Sequence, residues 1–206
     1  MGNKIIPFEA GKFYHIYNHA IGDENIFREN KNYGFFLDKF FDYLDDIISV
    51  YSYCLMPNHF HFLIRLKESD TVQEFFSKKY PDKDLKGFQN PSGLIAQQIG
   101  NFLNAYAKAF NKAYDRNGSL FISSIKRKEA SSKNYLLELV RYIHRNPIHH
   151  GFAKEIEDWG FSSYLTILGQ DEERINKEEV LNWFGGVDSF IEFHRQPITP
   201  GIISEF

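Results

Sequence analysis

The chain has 206 residues, 43% hydrophobic and 17% aromatic, enough for one substantial core packed largely by Phe and Tyr. Its one cysteine, Cys54, excludes an intramolecular disulfide and a cysteine-built zinc site, and no apolar run approaches the ~20 residues of a membrane helix. The net charge of −3 conceals an asymmetry: residues 108–145 carry nine Lys/Arg against three Asp/Glu, whereas residues 154–206 carry four against eleven.

In chain order, residues 11–19 are aromatic and alternating, which predicts a strand. Asn30 or Asn32 caps a helix running to about Ile48, with Phe36, Leu37, Phe40, Phe41 and Leu44 at helical spacing. A strand follows at about 50–56, then the turn Pro57-Asn58 and a strand at 59–66, so the two form an antiparallel hairpin. Residues 67–92 read as a polar connector with a helical piece near Val72–Phe76. Residues 93–114 predict a long helix, ended by Arg116-Asn117-Gly118. A strand at about 119–126 precedes a helix opened by Ser131 or Ser132 and stopped after His144 by Asn146-Pro147. Short helices near 162–168, 176–184 and 187–194 complete the chain. The class is α+β: an antiparallel sheet with helices packed on one face, plus a helical C-terminal extension.

The run Met56-Pro57-Asn58-His59-Phe60-His61-Phe62-Leu63-Ile64 carries the most chemistry. Side chains alternate along a strand, so Phe60, Phe62, Ile64 and Leu66 share one face and His59, His61, Leu63 and Arg65 the other. The apolar face suits a sheet packed on helices. Two imidazoles side by side on the opposite face make half of a divalent-metal site; the simpler alternative is two polar residues on the wet side of a sheet. The basic segment, densest at Lys126-Arg127-Lys128, points to a polyanionic substrate. The start Met1-Gly2-Asn3-Lys4 lacks the apolar stretch of a secretory signal, and a cytoplasmic protein is expected.

Four segments in order give the sequence a resemblance. They are Phe13-Tyr14-His15-Ile16-Tyr17-Asn18; Tyr53 to His61; Tyr106 to Asn111 with Gly118-Ser119-Leu120-Phe121; and Arg141-Tyr142-Ile143-His144-Arg145-Asn146-Pro147 with Ser162-Ser163-Tyr164. Over roughly residues 10–168 the chain resembles the single-tyrosine transposases of the histidine–hydrophobe–histidine (HUH) class, and among them the REP-associated tyrosine transposases. The resemblance implies a ferredoxin-like palm, with a catalytic domain over 1–168 and a short acidic helical extension over 169–206.

It also implies a reaction. A tyrosine attacks single-stranded DNA, forms a 5′-phosphotyrosyl link and releases a 3′-hydroxyl; another strand's hydroxyl then reverses the step. The link conserves the phosphodiester energy, so no ATP is needed, in keeping with the absence of a Walker-type loop. A divalent ion (Mg²⁺ or Mn²⁺) favours the phenolate and polarises the phosphoryl oxygen. Of twelve tyrosines, the resemblance puts the nucleophile at Tyr106, with Tyr114 as the alternative. The metal ligands implied are His59, His61 and, on the tyrosine helix, Asn111. Asn111 follows Tyr106 by five residues, a poor match to the same helical face, and His15 is the other option. Nucleic-acid contacts are expected from Lys126, Arg127, Lys128, Arg141 and Arg145, the last two being four apart on one helical face. Relatives carry Gln and Arg where this chain has Ile122 and Ser124, so the recognised DNA sequence does not carry over. The expected partner is hairpin-containing single-stranded DNA, bound by a monomer or homodimer, with the acidic tail packing beside or masking the basic groove. The alternatives are a non-catalytic nucleic-acid-binding protein on the same scaffold and a replication-initiator or relaxase-like HUH nickase.

Overall fold

The computed structural model describes residues 6–82, 92–122, 125–169 and 174–197. Its elements are β1 (Phe13–His19), α1 (Asn30–Leu44), β2 (Ile48–Met56), β3 (His59–Leu66), α2 (Ser69–Lys79), α3 (Ser92–Ala113), β4 (Lys126–Ala130), α4 (Lys133–His149), α5 (Tyr164–Leu168), α6 (Lys177–Phe184) and α7 (Val187–Arg195). The four strands form one antiparallel sheet in the order β2-β3-β1-β4. This is the ferredoxin-like βαββαβ arrangement.

The strand order fixes where the helices go. β1 and β3 are antiparallel, as are β3 and β2, so β1 runs parallel to β2 and needs a crossover, which α1 supplies. By the same reasoning β3 runs parallel to β4, and α3 lies within that crossover. Crossovers of this kind are right-handed, which places both helices on one face of the sheet. The aromatic layer bears this out. Phe36 meets Phe60 at 5.1 Å between ring centroids, Phe40 stacks on Phe62 at 4.1 Å, and Phe102 packs on both Phe36 and Phe40. These rings are fully buried; each large apolar side chain so placed contributes roughly 1.5–3 kcal/mol.

α4 follows the last strand and is not bound by the crossover rule. It packs on the opposite face, over β2 and the neighbouring part of β3. Its N-cap is Ser132, whose side chain accepts from the Tyr135 N–H. The helix runs past the expected stop to His149 and holds Pro147 in its last turns, where the missing N–H removes only one ladder bond. α6 and α7 pack back on α4 rather than standing apart, burying Val180, Phe190 and His194.

The other elements fall within a few residues of expectation, with one exception. The last strand is Lys126–Ala130 in place of the expected 119–126; ahead of it, among the described residues, Phe121 bridges to Ala20. Lys126-Arg127-Lys128 is therefore a charged edge strand, a composition that discourages pairing with another chain's edge. Residues 83–91 of the connector, Ser124, and residues 170–173 next to the proposed domain boundary lie outside the described residues. No helix among the described residues is long and apolar enough to cross a membrane.

Candidate active site

The pairing of β1 with β3 sets His19 opposite His59 and Tyr17 opposite His61. Period-2 alternation then gathers His15, Tyr17, His19, His59 and His61 on the face that α4 covers. His59 and His61 are each 7% exposed, so the pair is not on a wet sheet surface. Their rings stand 5.2 Å apart at 88°. His19 stacks on His59 at 5.3 Å, and His150, just beyond α4, approaches His59 edge-on at 4.9 Å. These groups, with Ile122 and the exposed Lys126, line a cleft of about 420 Å³.

Each of the two central imidazoles is held from behind. His59 Nδ1 lies 2.7 Å from Asn58 Oδ1; the amide oxygen only accepts, so Nδ1 carries the hydrogen and Nε2 keeps its lone pair. His61 Nδ1 lies 2.9 Å from His15 Nε2, and the tautomer in which His61 donates across this pair leaves its Nε2 with a lone pair. A partner on the far nitrogen that fixes tautomer and aim is the usual setting of a metal-ligating histidine. Burial pushes His15 down to about 3 and His59 down to about 4, and drives His61 well below the ordinary value. All three are neutral at pH 7, as ligation requires.

A third donor comes from α4. Tyr142 and Asn146 are four residues apart on the face turned to the histidines. The Tyr142 ring meets His61 edge-to-face at 5.7 Å and His15 at 6.2 Å. Asn146 Nδ2 donates to the Tyr142 carbonyl, while Asn146 Oδ1 is buried with no hydrogen-bond partner of proper geometry. The carboxamide sits beside both His59 and the Tyr142 phenol: it favours protonated His59 and partly offsets the rise that burial imposes on Tyr142. No cluster of three or more His, Cys, Asp or Glu side chains among the described residues is arranged to hold a metal. An orphaned buried amide oxygen next to two aimed imidazoles does fit one. Two nitrogens and an oxygen suit Mn²⁺ better than Mg²⁺, with water completing the shell.

Several expected site residues lie elsewhere. Tyr106, the expected nucleophile, is on α3, which packs on the other face of the sheet from the histidines. It is 1% exposed among Phe27, Phe36 and Phe121, and its hydroxyl donates to the Ile26 carbonyl. Burial drives its phenol far above the ordinary value, which opposes phenolate formation. Tyr114, on the same side, donates to Glu29 at 2.7 Å. Asn111, the expected third ligand, is also on α3; its Nδ2 donates to the Gly118 carbonyl and its Oδ1 accepts from Arg116. His15, the other option for a ligand, lies behind His61, its Nε2 2.9 Å from His61 Nδ1.

The basic residues divide. Arg141 is 2% exposed, paired with Glu138 and stacked 4.4 Å over Phe193; Arg145 donates to the His194 carbonyl at 2.9 Å. Both hold α7 and neither is placed for phosphate. Arg127 points to the opposite face, donating to the Ile6 carbonyl and lying over Phe8. Lys126 and Lys128 pair with Tyr17 and His15 in register and remain on the histidine side, Lys126 at the cleft.

One signal in the sequence did mark the site. Among the tyrosines on helices, only Tyr142 has an Asn, Gln, His or acidic residue four positions later, at Asn146. After Tyr106 that place is Phe110, which cannot ligate.

No protein-family model and no curated protein matches this chain. A solved structure does: that of a REP-associated tyrosine transposase bound to a REP hairpin, at a TM-score of 0.58 and 15% identity, over 85% of this chain and 98% of that one. At that identity the likeness shows the fold, a four-stranded antiparallel sheet with its helices.

Proposed function

We propose that this protein is a metal-dependent single-stranded DNA endonuclease and strand transferase, acting through a covalent 5′-phosphotyrosyl intermediate on Tyr142. The observation that carries the reading is that α4 sets Tyr142 and the buried Asn146 carboxamide beside His59 and His61, the two histidines that line the cleft. The likeness in fold to a transposase bound to a DNA hairpin supports the substrate class.

His59 Nε2, His61 Nε2 and Asn146 Oδ1 would hold a divalent ion, which when bound polarises a phosphoryl oxygen and stabilises phenolate. Tyr142 Oη attacks the scissile phosphorus, forming the O–P bond as the bond to the 3′-oxygen breaks. The Asn146 carboxamide keeps the phenol from rising as far as burial alone would take it. α4 also roofs the site and limits water, which protects the tyrosyl ester until another strand's 3′-hydroxyl attacks it. Lys126 and Lys128 bind backbone phosphate beside the cleft. All four central groups come from one chain, so a monomer suffices.

The test is incubation of the protein and Mn²⁺ with a labelled hairpin carrying a single-stranded flank, followed by a denaturing gel. Wild type and Tyr106→Phe should form a protein–DNA adduct, and Tyr142→Phe should not, while binding the hairpin with wild-type affinity. An adduct in Tyr142→Phe contradicts the assignment.

A further inference from the structure

Behind the candidate site a hydrogen-bonded chain crosses three elements. His194 Nδ1 lies 2.8 Å from the Phe190 carbonyl within α7. That oxygen only accepts, so Nδ1 carries the hydrogen and the neutral ring's Nε2 must accept. It does so from His144 Nδ1 at 2.9 Å. His144 Nε2 is then an acceptor too, and takes the Ser163 hydroxyl at 2.8 Å. Ser163 Oγ in turn accepts from the Tyr53 N–H on β2 at 2.8 Å; its approach to the Tyr53 carbonyl is longer, at 3.3 Å. Every donor and acceptor role is thus fixed from one end to the other. His144, His194 and Ser163 are all fully buried.

The chain enters α4 at His144, midway between Tyr142 and Asn146. It reaches β2 at Tyr53, next to Cys54, which pairs with His61 in the sheet. It therefore joins the helix carrying the candidate nucleophile to the strand beside the histidines. The apolar residues buried along α4, among them Leu139, Val140 and Ile143, hold the helix down but are non-directional. A slide of one residue along the axis moves a side chain about 1.5 Å. A misplacement of about 1 Å is enough to cost a reaction on the order of a hundredfold.

We infer that His194, acting through His144 and Ser163, is a positioning residue that fixes the axial register of α4 and so holds Tyr142 and Asn146 against His61 and His59. The inference rests on the reading of that cleft as a tyrosine nuclease site. It gives the C-terminal segment a part in the reaction: α7 is the rear anchor of the nucleophile's helix. The arginines strengthen the anchor, since Arg141 and Arg145 reach the carbonyls of Phe193 and His194 in the last turn of α7, where a helix leaves acceptors unsatisfied.

The experiment uses the full chain with His194→Phe, which keeps a ring and loses the bonds; His194→Gln, which restores an acceptor near Nε2; and Ser163→Ala, which cuts the other end. Folding is checked by circular dichroism. Single-turnover cleavage should fall about tenfold or more in His194→Phe and Ser163→Ala while hairpin affinity stays within about twofold, and His194→Gln should recover most of the rate. Amide hydrogen exchange across residues 142–146 should quicken about tenfold in the two impaired variants and stay unchanged in α3. Wild-type cleavage in either impaired variant overturns the inference, as does a parallel loss of affinity and rate, or a His194→Gln no better than His194→Phe. Failure of wild type to form any adduct refutes the functional reading instead. Hydrogen exchange then still decides: unchanged exchange in α4 rejects the anchor.

Discussion

Tyr106→Phe separates the two tyrosines that compete for the nucleophile's role. The substitution removes one oxygen from a side chain that is 1% exposed and leaves the ring among its neighbours, Phe36 at 4.9 Å and Phe121 at 6.4 Å. The lost group is a hydroxyl donating to the Ile26 carbonyl, which is left buried without that partner. Leaving a buried acceptor unsatisfied costs about 1–3 kcal/mol. For a chain of this size each kcal/mol lowers Tm by about 2–4 °C, so a fall of roughly 2–12 °C is expected. Adduct formation at a temperature where the variant is fully folded should match wild type, because Tyr106 and the histidines are on opposite faces of the sheet. Calorimetry gives the first quantity and the covalent-adduct gel the second. A folded Tyr106→Phe that forms no adduct would refute the reasoning and return the nucleophile to α3.

Three further outcomes follow from the geometry. Lys126→Ala should reduce the slope of log affinity against log salt by about 1, as expected for a lost phosphate contact, whereas Arg145→Ala should lower stability and leave that slope alone; equal slopes for Lys126→Ala and wild type would remove Lys126 from the interface. Asn58→Ala frees His59 Nδ1 and should weaken Mn²⁺ binding about 10–100-fold by calorimetric titration without touching a ligand; unchanged affinity would count against His59 as a ligand. Acid should destabilise the fold through His194, which burial pushes down to about 4 from an ordinary value of 6.5. A group depressed in this way binds its proton in the unfolded state first, so its contribution is complete above pH ~6.5 and declines as pH falls toward 4, by about 3 kcal/mol. Urea midpoints that stay level between pH 7 and 4.5 would contradict this.

The sheet and the histidine pair were legible because both follow local periodicity. Alternation alone put His59 and His61 on one face and Phe60 and Phe62 on the other. The proposed nucleophile is not legible in the same way. α3 and α4 are both amphipathic, and both carry a tyrosine among apolar residues, so the apolar pattern does not distinguish them, and the Asn146 that follows Tyr142 by four residues does not tell which face of the sheet its helix covers. What does is the handedness of the crossover from β3 to β4, which consigns α3 to the apolar face, and that depends on the strand order. Asn146-Pro147 reads as a helix stop, because proline is disfavoured in helix interiors. Here α4 continues through Pro147, and Asn146 faces the site from within the helix. Arg141 and Arg145 do share a helical face, as their spacing requires, but that face meets α7. Sequence spacing identifies which residues stand together without identifying what they meet.

The central claim is that Tyr142 becomes covalently joined to DNA. Trypsin cleaves after Arg141 and Arg145, so it releases Tyr142 in the peptide Tyr142–Arg145, apart from Tyr106 and from Tyr114 in Ala113–Arg116. After reaction with the hairpin, nuclease trimming and digestion, mass spectrometry should find the nucleotide phosphate on Tyr142–Arg145. The same mass increment on the peptide containing Tyr106 or Tyr114 would contradict the account.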